Sequence, residues 1–336
     1  MEVHGVSKVG IVMDGSDAFF RPIEAALRQR HQVSRFQPRF IYAPVVGSRL
    51  NRLLLKLQLA HFLRAHDVVF FEWASSLLVL ASNMRQIGRI VTRLHSFEVV
   101  TAAHLVNWAH VNETIVVSRH MYRRLLDVAV VPPLSVHAIH SGVDLGRYRP
   151  TPRTFAYRIG MACRVVPLKR VYEAILTLAE LRKQGQPFTL HIAGKMGDKY
   201  NPRYALALES LVTKLNLTDY VTFYGHVDVM QGWFGQIDIF LSNSYWESLG
   251  MALLEAMASG CYCLSHCRDG AEEVLPSDNI FTTDADLRAK LLAYAALPQA
   301  QKQHEQERMR AIAEERFDEQ RMVRQIIDII ETEAAG

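Results

Sequence analysis

The chain has 336 residues, 49% of them hydrophobic and 21% charged, which excludes a disordered or fibrous polymer and exceeds what one hydrophobic core usually serves, so two domains are expected. No run of about 18 apolar residues reads as a membrane span, the start MEVHGVSKVGIVMDG lacks a signal-peptide apolar core, and four cysteines (Cys163, Cys261, Cys263, Cys267) are too few for a disulfide framework; a cytoplasmic location with reduced thiols is expected. The net charge of +4 is unevenly spread: residues 1–150 hold 18 Lys and Arg against 10 Asp and Glu, and the remainder hold 20 against 24.

From the N-terminus, short β-branched runs alternate with helical stretches, the pattern of a parallel sheet covered by helices. Strands are predicted at 8–13, 32–36, 67–73, 89–95, 114–118 and 136–140, with helices at about 18–30, 49–65, 75–87, 98–110 and 118–127. No GxGxxG follows the first strand; the turn Asp14-Gly15-Ser16-Asp17 stands there instead, so nothing marks a nicotinamide or flavin site. The segment SRLNRLLLKLQLAHFLRAH (48–66) is a basic, strongly apolar helix candidate. It fits either a helix lying on an anionic membrane or a crossover helix packed on the sheet with its cations reaching water; apolar residues surround it instead of forming one stripe, which favours packing. The basic excess of this half predicts an anionic partner, a phosphate-bearing acceptor or a membrane surface. Scattered cations without interleaved aromatics argue against nucleic acid.

Gly and Pro punctuate residues 141–158, a linker between compact units. A second series follows, with strands at 157–163, 188–193, 221–225, 238–242 and 262–266 and helices at 170–184, 201–216, 229–235, 249–259 and 285–297. Two more helices, 299–315 and 319–334, end the chain. The last carries Met322, Ile326, Ile327, Ile329 and Ile330, so it must pack, and a return to the N-terminal domain is expected.

The window SNSYWESLGMALLEAMASG (242–260) carries the chemistry. Ser248 offers an N-cap to the helix behind it, whose first N–H groups have no internal acceptor and would face an anion, with Gly250 allowing close approach. Glu255 sits among Leu253, Leu254, Ala256 and Met257, where a carboxylate needs a partner; a ribose diol or a neighbouring Arg would each serve. Glu247, in the loop before the helix, can reach sugar hydroxyls or act on the helix dipole. In GMACRVVPLKR (160–170), Arg164 and Lys169 flank a loop after a strand, where two fixed cations would stabilise a departing diphosphate without a metal.

Glu247-Ser-Leu-Gly-Met-Ala-Leu-Leu-Glu255, followed by Ala-Met-Ala-Ser-Gly260, resembles the signature of the retaining glycosyltransferases of family 4. Arg164 and Lys169 stand at that family's Arg-to-Lys spacing, AIHSGVDLGRYRP (138–150) resembles its domain junction, VTFYGHV (221–227) a strand lining its base pocket, and GAEEVLP (270–276) its segment after the Glu pair. The resemblance runs strongly from about 113 to 280. It implies an α/β GT-B fold: two facing Rossmann-like domains with parallel sheets and an interdomain cleft, residues 1–149 binding acceptor and completed by helix 319–336, residues 150–318 binding the nucleotide-sugar.

By the same resemblance Arg164 and Lys169 hold the diphosphate, Glu255 the ribose, Glu247 the transferred sugar, and Ser248, Leu249, Gly250 and Met251 the phosphate or sugar, with further donor contacts at Gly15, Gly194 and Val227. His95, in RLHSFE (93–98), stands where the family has a His at a strand end facing the cleft; as a lone residue it reads equally as a structural histidine. The family's glycine pair after strand one is reduced to Gly15-Ser16. The implied activity is metal-independent, cofactor-free retaining transfer from a UDP- or GDP-sugar to a glycan or lipid-linked acceptor. The alternatives are a sugar-nucleotide epimerase on the same fold and a non-catalytic binding subunit. Asp284 and Asp286 read as helix capping and not as a metal site, and Cys261, Cys263, His266 and Cys267 lack the second ligand pair of a zinc site.

Overall fold

Val-, Ile- and Phe-rich runs bounded by Gly, Asp and Asn form strands because branched side chains pack on a pleated, buried surface. In the computed structural model, which describes residues 7–15, 17, 19–41, 47–73, 75–85, 88–197 and 201–332, the chain divides into two units, Met1–His140 with Gln320–Gly336, and Ser141–Glu319.

The first unit contains β1 (Lys8–Met13), α1 (Arg21–Arg30), β2 (Gln32–Arg35), α2 (Gly47–Arg64), β3 (Val68–Glu72), α3 (Ser76–Ser82), β4 (Arg89–Leu94), α4 (Ser96–Thr101), β5 (Glu113–Val116), α5 (Arg119–Val128) and β6 (Val136–Ala138). Its strands are all parallel, in the order β2-β1-β3-β4-β5-β6. The second unit contains β7 (Arg158–Ala162), α6 (Val171–Lys183), β8 (Thr189–Ala193), α7 (Pro202–Lys214), β9 (Val221–Gly225), α8 (Met230–Phe234), β10 (Ile239–Ser242), α9 (Met251–Ala258), β11 (Tyr262–His266), β12 (Ile280–Phe281), α10 (Asp284–Ala296) and α11 (Gln299–Arg316). Its parallel order is β12-β11-β10-β7-β8-β9. In both sheets the first strand lies inside, so the connections reverse direction there: between β1 and β3 in one unit, between β7 and β10 in the other. Loops at the carboxyl ends of such strands form the ligand crevice of open α/β sheets.

Two predicted helices are shorter than expected. The stretch at 75–87 ends at Ser82, where Asn83 turns back on Val79, and Gln86 and Ile87 lie outside the described residues. The stretch at 98–110 begins earlier, at Ser96, and stops at Thr101; two single 3-10 turns, Ala103–Leu105 and Trp108–His110, follow. Trp108 is buried with its indole N–H on the Ala103 carbonyl at 2.9 Å, which a continuing helix would not permit. β12 has only two residues and so offers no periodicity to read.

The last helix, α12 (Glu319–Glu331), turns Met322, Ile326, Ile327 and Ile330 into the core of the first unit with Val9, Ile11, Phe70 and Val91. Arg89 donates to the carbonyls of Ile329 and Ile330 at 2.8 and 2.7 Å, satisfying acceptors that the helix end leaves open. Replacing Ile326 by Ala leaves a cavity beneath β1 and β3. It is expected to destabilise the first unit by about 2–4 kcal/mol, read as a lower urea midpoint with an unchanged m-value.

Candidate functional site

At the reversal point of the second unit, β7 and β10 pair through Ile239–Ile159 and Phe240–Gly160, and the loops after them, 163–170 and 243–250, are bound to each other. Arg170 starts α6 from a left-handed conformation (φ 52°), unusual for a residue with a side chain. Asn243 holds it there: its amide donates to the Arg170 carbonyl at 2.9 Å and its oxygen accepts from the Arg170 guanidinium at 3.2 Å. The guanidinium also reaches Asp284 at 3.1 Å and lies 5.0 Å over the Tyr245 ring. The Tyr245 amide donates to the Leu168 carbonyl at 3.0 Å.

This clamp sets Lys169 and Glu247 against one another. The Lys169 ammonium donates to the Glu247 carboxylate, and the Ser244 hydroxyl donates to the same oxygen at 2.7 Å. Both side chains keep partial solvent access. Gly250, next to them, has φ 98°, and a Cβ there would sit 3.4 Å from the Arg268 guanidinium and 3.9 Å from Glu247. Arg164 is exposed and makes no side-chain hydrogen bond or ion pair among the described residues. Cys163 is no rival nucleophile: burial pushes its thiol up to about 12, with Lys169 lowering it and Glu247 raising it.

Ser248 does not cap the helix. α9 begins at Met251, and Gly250 takes the cap position without a side-chain bond. The reason is Arg268, which is buried and donates to the Leu249 carbonyl at 2.7 Å, pinning Leu249 into the core ahead of the helix. The amides of Leu253 and Leu254 bond to the Gly250 carbonyl, while those of Met251 and Ala252, in the first turn, have no acceptor within the helix. Arg268 has no local sequence signal, because its partner is a backbone carbonyl nineteen residues away.

Glu255 lies one turn beyond Met251 on the same helix face. Its side chain hydrogen-bonds the Tyr148 hydroxyl, and Arg147 lies near without an ion pair to it among the described residues. Burial raises its pKa to about 7 against the lowering effects of Tyr148 and Arg147. Gly194 ends β8 with φ 135°; a Cβ would fall 1.8 Å from the Cys163 carbonyl, so its glycine character is required by backbone approach alone. Val227, after β9, packs at the edge of the apolar cluster that holds Leu249, Leu253 and Tyr148.

The first unit has its own arrangement at its reversal point. Trp73, after β3, is left-handed (φ 73°), and its indole lies 3.0 Å from where Gly15 would carry a Cβ; Ser16 lies outside the described residues. The His95 ring stacks on Trp73 with centroids 4.2 Å apart. His95 caps α4, its side chain accepting from the Glu98 backbone while Glu98 accepts from the His95 N–H at 2.9 Å. Its Nε2 reaches Glu72 at 3.1 Å. Glu72 is fully buried: burial acts to raise its pKa, and Arg93 and His95 outweigh that, holding it ionised below the usual range. His95 Nε2 therefore carries the proton, and both ring nitrogens are engaged inside the unit.

Asp284 and Asp286 serve Arg170 and the start of α10, where Thr283 caps. Among the described residues no group of three His, Cys, Asp or Glu side chains is placed to hold a metal ion.

Residues 154–316, which lie within the second unit, match the family described as Glycosyl transferases group 1. Over 160 residues the chain is 24% identical to tRNA-queuosine alpha-mannosyltransferase of Drosophila melanogaster, spanning 46% of this chain and 40% of that protein. The chain therefore spans well under half the length of that curated relative. Among solved structures it is similar to Anabaena Alr3699/HepE in complex with UDP and glucose (18% identity, TM-score 0.78, 96% of this chain and 98% of that one). It is also similar to a glycosyltransferase from Rickettsia africae ESF-5 (15% identity, TM-score 0.80, 97% and 98%). Together with the two parallel six-stranded sheets, these likenesses identify the fold as GT-B.

Because the folded state holds the Glu255 proton more tightly than the unfolded chain, the stabilisation is complete below about pH 4.5 and is lost as pH rises through about 7. The lost part amounts to about 3 kcal/mol at most. Glu255→Gln is therefore expected to raise the melting temperature at pH 8 and to have little effect at pH 4.5, checked by calorimetric melting at both values.

Proposed function

We propose that this chain is a family 4 retaining glycosyltransferase that moves a sugar from a UDP- or GDP-sugar to an anionic glycan or lipid-linked acceptor bound by the basic N-terminal unit, with no metal required. One observation carries the reading: the Lys169–Glu247–Ser244 cluster beside the Gly250 turn at the β7/β10 reversal, with Glu255 one turn down the adjoining helix.

In this reading the diphosphate takes the Lys169 ammonium from Glu247 and adds Arg164 and the Met251 and Ala252 amides, a set of fixed positive poles where negative charge develops. Glu247, freed from Lys169 and still held by Ser244, accepts hydrogen bonds from the sugar. Glu255 exchanges the Tyr148 hydroxyl for the ribose diol, and doing so requires its ionised form. Gly194 and Val227 flank the nucleotide, and the family resemblance assigns Gly15 to donor contacts and His95 to the sugar and acceptor. The bond from C1 to the diphosphate oxygen breaks with its electron pair leaving on that oxygen. The acceptor oxygen bonds to C1 on the same face, and its proton passes to the departing diphosphate. Such front-face transfer asks the protein for positioning and leaving-group stabilisation more than for a nucleophile.

Lys169→Ala and Glu255→Ala are each expected to lower transfer more than roughly tenfold while the melting curve remains cooperative. Near-wild-type turnover in both would overturn the site assignment. Calorimetric titration with UDP, GDP and ADP identifies the base, and loss of the heat in Lys169→Ala ties it to this site. Incubation with donor alone, yielding an altered sugar nucleotide, would support epimerisation instead.

A further inference from the structure

Residues 35–66 contain six Arg and Lys and no Asp or Glu. α2 packs one face on β1: Leu59 and Leu63 are buried, and a Cβ on Gly10 would meet the Phe62 ring at 2.6 Å. The opposite face is not polar. Leu50, Leu53 and Leu57 are 41%, 56% and 61% exposed, and their spacing places them in one stripe along the helix. Arg49, Arg52, Lys56 and Arg64 are exposed on the same helix, and none has an acidic partner among the described residues.

An extended segment is built against this helix. The Asn51 side chain accepts from the Ile41 N–H at 2.8 Å and donates to the Ile41 carbonyl at 2.9 Å. Gln58, seven residues on and therefore on the same face, does the same for Arg39 at 2.8 and 2.9 Å. Four hydrogen bonds thus fix a backbone whose side chains Phe40 and Ile41 are 61% and 51% exposed. A groove of about 510 Å³ between segment and helix is lined by Phe36, Leu57, Phe62 and Arg39 among others.

A face meant for water alone would not hold five large apolar side chains outward with side-chain amides dedicated to keeping two of them in place. A nucleic acid would use the cations and leave the leucines without a role. A bilayer with anionic lipids satisfies both sets, taking apolar side chains at the acyl boundary and cations at the headgroup phosphates. We propose that this face docks the protein on an anionic lipid bilayer, with Phe40, Leu50, Leu53 and Leu57 entering the membrane boundary and Arg49, Arg52, Lys56 and Arg64 on the phosphates. The sequence pattern favoured a packed crossover helix; the structure gives that role to one face of α2 and leaves the other for docking. The donor-site reading is not needed for it.

The test is co-sedimentation of the full chain with vesicles of phosphatidylcholine alone or with about one third phosphatidylglycerol, at low and high salt. Binding is expected to the anionic vesicles, weakening with salt. The double variants Leu53→Ser/Leu57→Ser and Arg52→Gln/Lys56→Gln are each expected to lower the partition coefficient roughly tenfold or more. All four positions are exposed, so melting temperatures should stay near wild type, and the second pair keeps the test decisive if the first melts early. No sedimentation at low salt, equal partition onto both vesicle types, or partition unchanged in both variants overturns the proposal. So does binding of bulk tRNA without vesicle binding. Nucleotide titration is read separately, so failure here leaves the donor-site reading standing, and the reverse also holds.

Discussion

The reciprocal pair between Arg170 and Asn243 is the constraint on which the second unit's site depends. Each hydrogen bond contributes modestly, about 0.5–1.5 kcal/mol, but together they hold Arg170 in a left-handed conformation that its side chain disfavours. That conformation turns the chain sharply from the Pro167–Lys169 turn into α6, and the turn aims Lys169 at Glu247. With the loops tied, the ammonium, the carboxylate and the Gly250 turn are held together at one place on the second unit. Arg268 serves the same end from below, fixing Leu249 so that the helix must start at Met251.

The first unit solves the corresponding problem with buried charge. Glu72 and Arg93 are removed from water, and such a pair is tolerated only when its hydrogen bonds are complete. They nearly are: Arg93 makes three hydrogen bonds to Glu72 through two of its nitrogens, one to the Phe19 carbonyl and a weak one to the Met322 sulfur, and His95 reaches Glu72 as well. The gain is orientation. The pair ties the ends of β3 and β4, fixes the His95 tautomer, and holds the ring against a Trp73 whose backbone is left-handed. Both units thus carry a bulky left-handed residue at the sheet's reversal point, strain of the kind that persists where surrounding contacts over-determine it.

Surface and site divide the labour of the basic half differently from what composition suggests. Its positive excess is not one uniform field. Arg28 and Arg35 are spent on Glu24, Arg89 on a helix terminus and Glu113, and Arg93 on Glu72. Four others, Arg49, Arg52, Lys56 and Arg64, stand on α2, the helix that also carries the exposed leucines.

Much of the fold was legible in the sequence because strand and helix periodicity is local: the alternating βα series and the apolar face of α12 both follow from residues close in the chain. The residues of the candidate site were legible as two local groups for the same reason, since Glu247, Gly250 and Glu255 lie on one loop and helix, and Arg164 and Lys169 on another. Only tertiary structure decided that these two loops adjoin, because β7 and β10 become neighbours through a crossover that leaves no local trace. It likewise decided that Tyr148 meets Glu255, that Arg268 displaces the helix start from Ser248, that both nitrogens of His95 are occupied, and which leucines of α2 stay outside. Each of these is a contact between residues far apart in the chain. Strand order and packing select its partner, and neither is written in the spacing of any single segment.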